Sequence, residues 1–294
     1  MKKRKVNWTA LMFIAPNYIG FVIFILLPVI FSLIISFTDY NVFKGFAGMK
    51  FNGFENAINM FTDPWFIDAV KNNLKYTLIT IPIMMGLSVV LSIFLNNKVY
   101  LKNFFRIIIF IPYISSIVAV SAIWSMMFNP SQGIINQFLQ SIGVENTPGW
   151  LGSISWSLPA IMIVGIWMGL GYNTVVYMAG LQSIDSNLYE ASEIDGANGF
   201  QQFFHVTLPM LSSTTFFLLI TNIIYSFQVF GTVNIMTGGG PGRSTTVIAH
   251  YIYLSGFRYN KMGYASAMAW VLLMVIFIVT LFQWRIQKRF EARQ

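Results

Sequence analysis

Three acidic side chains, Glu190, Glu193 and Asp195, lie close together in a chain that is otherwise poor in charge. Glu190 and Glu193 are three residues apart, so they project together from one face of a short helix. Carboxylates that share a face can act in acid–base chemistry or can bind a basic partner. No catalytic pair is visible in the stretch, so catalysis is not the role that we expect for it.

The acidic island, residues 185–207, has the sequence of two short helices joined by a sharp turn. Asp185 or Ser186 can cap a helix that begins near Asn187, and Asn198 followed by Gln201 can cap the next helix. An ordinary solvated loop does not need two capped helices. We therefore predict a defined helix–turn–helix.

Gly196 lies between these two helices, at a helix C-terminus where the backbone often needs a positive φ. The first helix also carries an apolar stripe of Leu188, Ala191 and Ile194. We expect the turn to depend on Gly196.

Composition indicates what the island is attached to. Of the 294 residues, 56% are hydrophobic and 10% are charged, against roughly 45–50% apolar and about 25% charged in soluble domains. Segments of about 20 apolar residues can cross a membrane as helices. We predict an all-α integral membrane protein with one transmembrane domain over residues 1–294. Its six spans are expected at approximately residues 11–37, 76–95, 107–128, 156–184, 208–236 and 263–284.

Basic residues at the span ends predict the topology. They cluster in the N-terminal tail, in the loop between the second and third spans, and in the C-terminal tail, and the positive-inside rule makes that face cytoplasmic. Both termini and the acidic island then lie in the cytoplasm. This topogenic role also explains the net charge of +8 without a nucleic-acid partner. The residues concerned are Lys2, Lys3, Arg4, Lys5, Lys98, Lys102, Arg106, Arg285, Lys288, Arg289 and Arg293.

The remaining reactive residues do not form a recognisable catalytic or metal site. His205 and His250, the two histidines, are predicted to lie on opposite sides of the membrane, and there is no cysteine. Residues 237–244, TGGGPGRS, look like a phosphate-binding loop, yet that motif needs Gly in place of Thr237 and Lys in place of Arg243. We predict no catalytic residue, no metal site and no cofactor on this chain.

The predicted spans contain no Asp, Glu, Lys, Arg or His. Carriers coupled to protons or sodium usually hold an ionisable residue within the membrane. Its absence favours transport that is powered from outside the membrane domain.

Uncharged polar residues in the fourth and fifth spans are candidates for a substrate path. Asn222 and Ser226 are four residues apart and share a helix face. Amide and hydroxyl groups near aromatic rings such as those of Tyr172 and Tyr225 suit a neutral polyol, which needs hydrogen bonds at its edges and apolar contact on its faces. Hydrogen bonding between helices explains the same polar residues equally well. The pair Gly165 and Gly169 indicates close helix packing.

The acidic island also carries a family resemblance. Glu190, Ala191 and Ser192, followed by Gly196 and then by VTLP at residues 206–209, resemble the EAA signature of the membrane subunits of binding-protein-dependent ABC importers. Ser192 and Val206 replace the Ala and Ile of that signature. The flanking stretches LQSIDSNLYEASEIDGA and FGTVNIMTGGGPGRST are similar to carbohydrate-importer permeases of the maltose-transporter type.

This resemblance implies a permease subunit that forms half of the translocation pathway for a sugar or oligosaccharide in a bacterial cell membrane. It implies a second, homologous permease subunit, an external substrate-binding protein and two cytoplasmic ABC ATPase subunits, which hold ATP and Mg. The island would form a coupling helix that docks on an ATPase subunit, with Glu190 paired to a basic group and Gly196 supplying the bend. The implied coupling residues are Tyr189, Glu190, Ala191, Ser192, Asp195, Gly196 and Ala197.

The resemblance also implies two sites at the membrane and beyond it. Residues that match the sugar cleft of the maltose-type subunit are Met168, Gly169, Tyr172, Asn222, Ser226, Val229 and Gly231. Gly239, Gly240 and Pro241 would face the external binding protein. Alternatives to a sugar permease are a permease for a phosphorylated polyol such as glycerol phosphate, a secondary carrier or channel, and a membrane enzyme.

Overall fold

The computed structural model of the chain describes residues 8–96 and 100–291. Over these ranges the protein is helical, and no strand occurs beyond an isolated bridge between Thr38 and Phe51. Some basic residues used for the predicted topology lie outside the described residues, namely Lys2, Lys3, Arg4, Lys5, Lys98 and Arg293. The chain divides into two compact units.

Five helices are long and apolar enough to cross a membrane, which confirms the predicted all-α membrane fold. They are Met12–Ser36, Pro64–Asn96, Ser157–Gln182, Ser212–Met236 and Met262–Lys288. Within the described ranges, a sixth span exists only if a bent pair of helices, Lys102–Ile114 and Ile117–Met127, counts as one.

The first unit contains the described residues up to Asp63 together with Ile252–Val271. Its first helices are α1 (Trp8–Phe21), α2 (Leu27–Ser36) and α3 (Glu55–Met60), and a π-helical turn, Val22–Leu26, joins α1 to α2. The side-chain amide of Asn56 donates hydrogen bonds to the carbonyls of Ser36 (2.9 Å) and Thr38 (2.8 Å). The segment after α2 is thereby folded against the end of that helix.

The second unit contains Pro64–Tyr251 together with the residues from Leu272 onward. Its helices are α4 (Pro64–Asn96), α5 (Lys102–Ile114), α6 (Ile117–Met127), α7 (Ile134–Ser141), α8 (Ser157–Gln182), α9 (Ser186–Ile194), α10 (Gly199–Gln202), α11 (Leu208–Met210), α12 (Ser212–Phe227) and α13 (Gly231–Met236). Two further helices, α14 (Ile248–Tyr253) and α15 (Met262–Glu291), contribute residues to both units.

Helices α4 and α8 form the most extensive contact of the second unit. A Cβ atom at Gly165 would collide with the Tyr76 side chain, and one at Gly169 would collide with Met84. The two glycines therefore let α4 approach α8 closely, as their spacing predicts.

The predicted third span, residues 107–128, is not one straight helix. Helices α5 and α6 meet at a bend of 98°, with Ser115 and Ser116 in extended or non-helical conformations between them. Pro112 contributes to this break because it supplies no backbone N–H to the preceding turn of α5.

The predicted fifth span, residues 208–236, is also interrupted. Helix α12 ends at Phe227 and α13 begins at Gly231, so the backbone of residues 228–230 is irregular. Irregular backbone at membrane depth is tolerated where it is buried in protein or lines a cavity, and this interruption lies beside a cavity of the second unit.

Candidate functional site

The uncharged cavity is an opening of about 420 Å³ in the second unit, formed by α4, α5, α6, α8, α12 and α13. All seven residues predicted for the sugar cleft line it: Met168, Gly169, Tyr172, Asn222, Ser226, Val229 and Gly231. No lining residue among the described ones carries a charge. The structure thus brings the predicted set together, while its role in substrate binding stays a prediction.

Two of these residues, Gly169 and Gly231, lie where neighbouring helices approach each other closely. Gly169 lies against Met84 of α4, and a Cβ atom at Gly231 would come within 2.8 Å of the Ile117 side chain of α6. Any larger side chain at either position requires a neighbour to move. Both glycines therefore let neighbouring helices pack closely beside the cavity.

Asn222 and Ser226 line the cavity but are buried and hydrogen-bonded to other helices. The amide of Asn222 donates to the side-chain oxygen of Asn173 on α8 over 2.6 Å. The hydroxyls of Ser226 and Thr77 share a hydrogen bond of 2.8 Å, and Asn73 donates to the Ser226 carbonyl over 3.1 Å. Interhelical bonding, the alternative interpretation of these polar residues, thus holds for both side chains.

An aromatic wall forms the accessible part of the cavity. The rings of Tyr113 and Tyr172 are stacked, with centroids 5.1 Å apart and an interplanar angle of 22°. Tyr113 is 42% exposed and Tyr225 is 62% exposed. Sequence reasoning missed Tyr113, because the packing of α5 against α8 brings it to the cavity and no spacing in the sequence signals this.

The local structure predicted for the acidic island is confirmed. The Asp185 carboxylate accepts a hydrogen bond from the N–H of Asn187 (3.0 Å) and caps α9. Asn198 and Gln201 form a reciprocal capping box at the start of α10, with bonds of 2.9 and 2.8 Å. Gly196 has φ of +78°, a backbone conformation that glycine adopts readily and other residues rarely adopt.

The two helices of the island are held together by polar bonds and expose a mixed surface. Ser192 accepts from the amide of Gln202 over 3.0 Å, and the hydroxyls of Tyr189 and Thr207 are 2.9 Å apart. Ile194 is 87% exposed. Among the described residues, none of the three acids Glu190, Glu193 and Asp195 forms an ion pair within the chain.

A shallow concavity of about 290 Å³ lies on the same surface. The predicted coupling residues Ser192, Asp195, Gly196 and Ala197 line it, together with Gln202 and His205. The island therefore presents exposed acids, an exposed apolar side chain and a shallow concavity on two capped helices.

The glycine loop, residues 237–244, has a fixed structure. Gly238, Gly239 and Gly242 have positive φ, and the Thr246 hydroxyl donates to the Gly239 carbonyl over 3.0 Å. It contains Gly239, Gly240 and Pro241, the residues predicted to face a binding protein. Arg243, which stands where a phosphate-binding loop needs a lysine, pairs with Asp68 at 2.8 Å.

His250 packs beneath the glycine loop. A Cβ atom at Gly239 would come within 2.7 Å of its ring, and the Phe230 ring centroid lies 6.2 Å away. His250 is 1% exposed, and neither ring nitrogen has a hydrogen-bond partner among the described residues. Burial lowers the pKa of His250, because a charged imidazolium loses its hydration there. Over the part of the chain that the structure describes, no three potential metal ligands of the His, Asp or Glu type lie together.

Comparison with known proteins places these features in a family. Residues 79–292 match the model of the "Binding-protein-dependent transport system inner membrane component". The chain is 34% identical to the lactose transport system permease protein LacF of Rhizobium radiobacter, over 96% of this chain and 94% of that protein. It is 31% identical to the sn-glycerol-3-phosphate transport system permease protein UgpA of Agrobacterium fabrum, over 94% of each.

A solved structure is similar over the same length. A chain of the bacterial alginate ABC transporter, crystallised in complex with an alginate pentasaccharide-bound periplasmic protein, superposes with a TM-score of 0.83 at 26% identity. The superposition covers 96% of this chain and 95% of that one. The match to the family model, the two relatives and the helical fold all agree with the predicted resemblance. The chain belongs to the binding-protein-dependent transport system inner membrane components.

Proposed function

We propose that this chain is a permease subunit of an ATP-driven importer and forms half of the translocation pathway for a neutral sugar or oligosaccharide. The observation that carries the proposal is the uncharged cavity, which is lined by all seven residues implied by the resemblance. Its volume of about 420 Å³ falls within the usual range of small-molecule sites, about 300–1,000 Å³.

The cavity suits a sugar by chemistry as well as by size. The stacked Tyr113 and Tyr172 rings offer an apolar surface to the face of a pyranose ring. The Tyr225 hydroxyl and the Gln228 amide, both on the cavity wall, can bond the hydroxyl groups at its edge. Asn222 and Ser226 hold the wall in place through their interhelical bonds, and each keeps spare hydrogen-bonding capacity that a sugar hydroxyl can use.

A phosphorylated polyol fits the cavity less well. A buried phosphate needs a positive charge or a cluster of donors, since an uncompensated charge is costly to bury. No lining residue among the described ones is basic. UgpA, a relative, is named for sn-glycerol-3-phosphate, so that compound is the direct competitor to test.

The chain itself does not hydrolyse ATP in this proposal. The acidic island docks on one of two separate ATPase subunits through Glu190, Glu193 and the exposed Ile194, with Gly196 setting the angle between α9 and α10. When the ATPase dimer closes, the docked islands of this chain and of its homologous partner move together. Rigid-body rotation of the helices then turns the cavity towards the outside. The termini and the island lie in the cytoplasm, and the chain crosses the bacterial cell membrane several times.

Reconstitution tests the proposal. The chain is co-expressed with a second permease, the ATPase and a substrate-binding protein, and uptake of a radiolabelled sugar into proteoliposomes is measured with and without ATP. We expect uptake only with ATP and with the binding protein. Thermal-shift screening of the binding protein against neutral sugars and glycerol phosphate identifies the substrate class. Uptake that persists without any ATPase would show a secondary carrier or channel instead.

A further inference from the structure

A second opening in the second unit has the opposite electrostatic character. The basic cleft, about 600 Å³ in volume, lies between the first turns of α4, the start of α8 and the end of the glycine loop. Its charged lining residues are Asp68, Lys71, Lys75 and Arg243. Its floor is largely apolar and includes Leu158 and Met162 of α8.

The cleft has more positive than negative charge, because three basic residues line it against one acid, and that acid is already paired. Asp68 pairs with Arg243 at 2.8 Å, and the Arg243 guanidinium also lies over the Trp65 ring, 5.6 Å from its centroid. Lys71 and Lys75 are four residues apart on α4, so both project to the same side. Both are exposed, and among the described residues neither forms an ion pair. Two ammonium groups therefore remain available to an anion.

The walls of the cleft are rigid. The side-chain amide of Asn72 on α4 donates to the carbonyls of Arg243 (2.8 Å) and Thr246 (3.0 Å). The hydroxyls of Ser157 on α8 and Ser244 share a hydrogen bond of 2.8 Å. Three separate segments are thus tied to one another, and a partner that binds here meets a preorganised surface, which lowers the entropic cost of binding.

Lys71 and Lys75 lie on the side of the membrane where lysine is less common near the end of a span. In the proposed orientation, the first turns of α4 and the glycine loop face the outside of the cell. Lys and Arg near the ends of spans favour the cytoplasmic side, so Lys71 and Lys75 oppose that bias. A topological role does not explain them.

The contrast with the uncharged cavity indicates what kind of anion binds. An anionic substrate that paired with Lys71 and Lys75 would next enter a cavity without any charged lining residue, at a high desolvation cost. An anion that stays outside the membrane pays no such cost. We propose that the basic cleft receives an acidic segment, rich in Asp or Glu, of the external substrate-binding protein. The inference rests on the proposed function and names the site and the chemistry of that contact.

Charge reversal tests this contact in the complete transporter. The probe is the binding protein that stimulates ATP hydrolysis by the wild-type complex in nanodiscs, and its Kd is measured for the Lys71→Glu/Lys75→Glu variant. We expect binding to weaken by about tenfold or more, because like charges then face each other across the contact. Wild-type binding should also weaken as ionic strength rises from about 0.01 M to about 0.1 M, over which the Debye length falls from about 30 Å to about 10 Å. In the variant that weakening should disappear or reverse, because salt then screens a repulsion at the cleft.

The matched control is Lys44→Glu/Lys261→Glu, which makes the same change in net charge at two lysines that do not line the cleft. Equal weakening in the control, or an unchanged Kd in the cleft variant, overturns the proposal. So does a cleft variant that binds normally but discriminates differently between anionic and neutral sugars, since the cleft would then serve the substrate. If no binding protein stimulates even the wild-type complex, the proposed function itself fails.

Discussion

Polar side chains have different roles in the acidic island and in the uncharged cavity. In the island, the polar side chains that bond one another or the backbone do so with neighbours at most 18 residues away, and the acids Glu190, Glu193 and Asp195 remain exposed. In the cavity, Asn222 and Ser226 bond partners that lie 49 and 149 residues away, and both are buried. The island is a locally folded element that presents free groups, whereas Asn222 and Ser226 of the cavity wall use their polar groups to hold helices together.

This difference predicts how substitutions act. A change in the island leaves the helix bundle intact and acts on the contact with a partner. A change in the cavity wall removes an interhelical bond and leaves its partner unsatisfied, which costs about 1–3 kcal/mol for a buried group. Stability and transport measured together therefore distinguish the two regions.

The largest effect is expected for Asn222→Leu. It leaves the side-chain oxygen of Asn173 without its donor, so we expect the protein to lose about 1–3 kcal/mol of stability and most of its uptake. Thermal unfolding in detergent and ATP-driven uptake in proteoliposomes measure the two quantities. Thr221→Val serves as the control, because the Thr221 hydroxyl bonds only carbonyls of its own helix.

The double variant Asn173→Leu/Asn222→Leu separates structure from substrate binding. Replacing both partners by apolar groups is close to neutral for stability. If Asn222 also contacts the sugar, uptake stays low although stability returns. Recovery of both quantities would remove Asn222 from the substrate site and leave it as a link between helices.

Gly196→Val tests the island. Valine at φ of +78° costs about 1–2 kcal/mol, which shifts the balance between correct and altered turns by roughly 5- to 30-fold. We expect uptake to fall by a similar factor while the chain remains inserted and ATP hydrolysis continues without transport. The control is Gly199→Val, since Gly199 lies in α10 without a positive φ and has open space beside it. Normal coupling in Gly196→Val would mean that the geometry of this turn does not serve coupling.

The same difference explains what the sequence could predict. The caps at Asp185 and Asn198 and the turn at Gly196 depend on residues two or three positions apart, so their chemistry is visible in a linear pattern. The all-α membrane fold was equally visible, because lipid requires long apolar helices. The functional roles of the island residues remain predictions.

Long-range geometry was not visible in this way. Pro112 predicts a kink, yet the 98° bend that follows it depends on how α5 and α6 pack against other helices. The packing of α5 against α8 likewise brings Tyr113 to the cavity. Likewise, Asn222 and Ser226 were consistent with both sugar binding and helix packing, and the choice required their distant partners Asn173 and Thr77.

His250 adds a pH dependence to the region of the glycine loop. Its pKa is lowered by burial, so the unfolded chain binds a proton more readily than the folded one. The folded state is therefore favoured above the ordinary histidine pKa, about 6.5. It loses up to about 1.4 kcal/mol per pH unit below that value, until the folded-state pKa is reached.

Thermal unfolding measured between about pH 7.5 and about pH 5 tests this. We expect His250→Leu to flatten the pH dependence and His205→Leu, at an exposed position in the island, to leave it unchanged. An equal pH dependence in wild type and in His250→Leu would assign it to other groups.

The smallest effect is expected at Tyr113, and it decides what the accessible wall of the cavity does. Removing the ring in Tyr113→Ala takes away a stacking contact worth about 0.5–1.5 kcal/mol, so the KM for sugar uptake should rise by about 2- to 10-fold. Tyr113→Phe keeps the ring stacked on Tyr172 and should transport almost as well as the wild type. Because the Tyr113 hydroxyl makes no hydrogen bond to another helix among the described residues, thermal stability should change little in Tyr113→Phe. If Tyr113→Phe raises KM as much as Tyr113→Ala, the hydroxyl and not the ring contacts the sugar. The wall would then bind the sugar by hydrogen bonding and not by stacking.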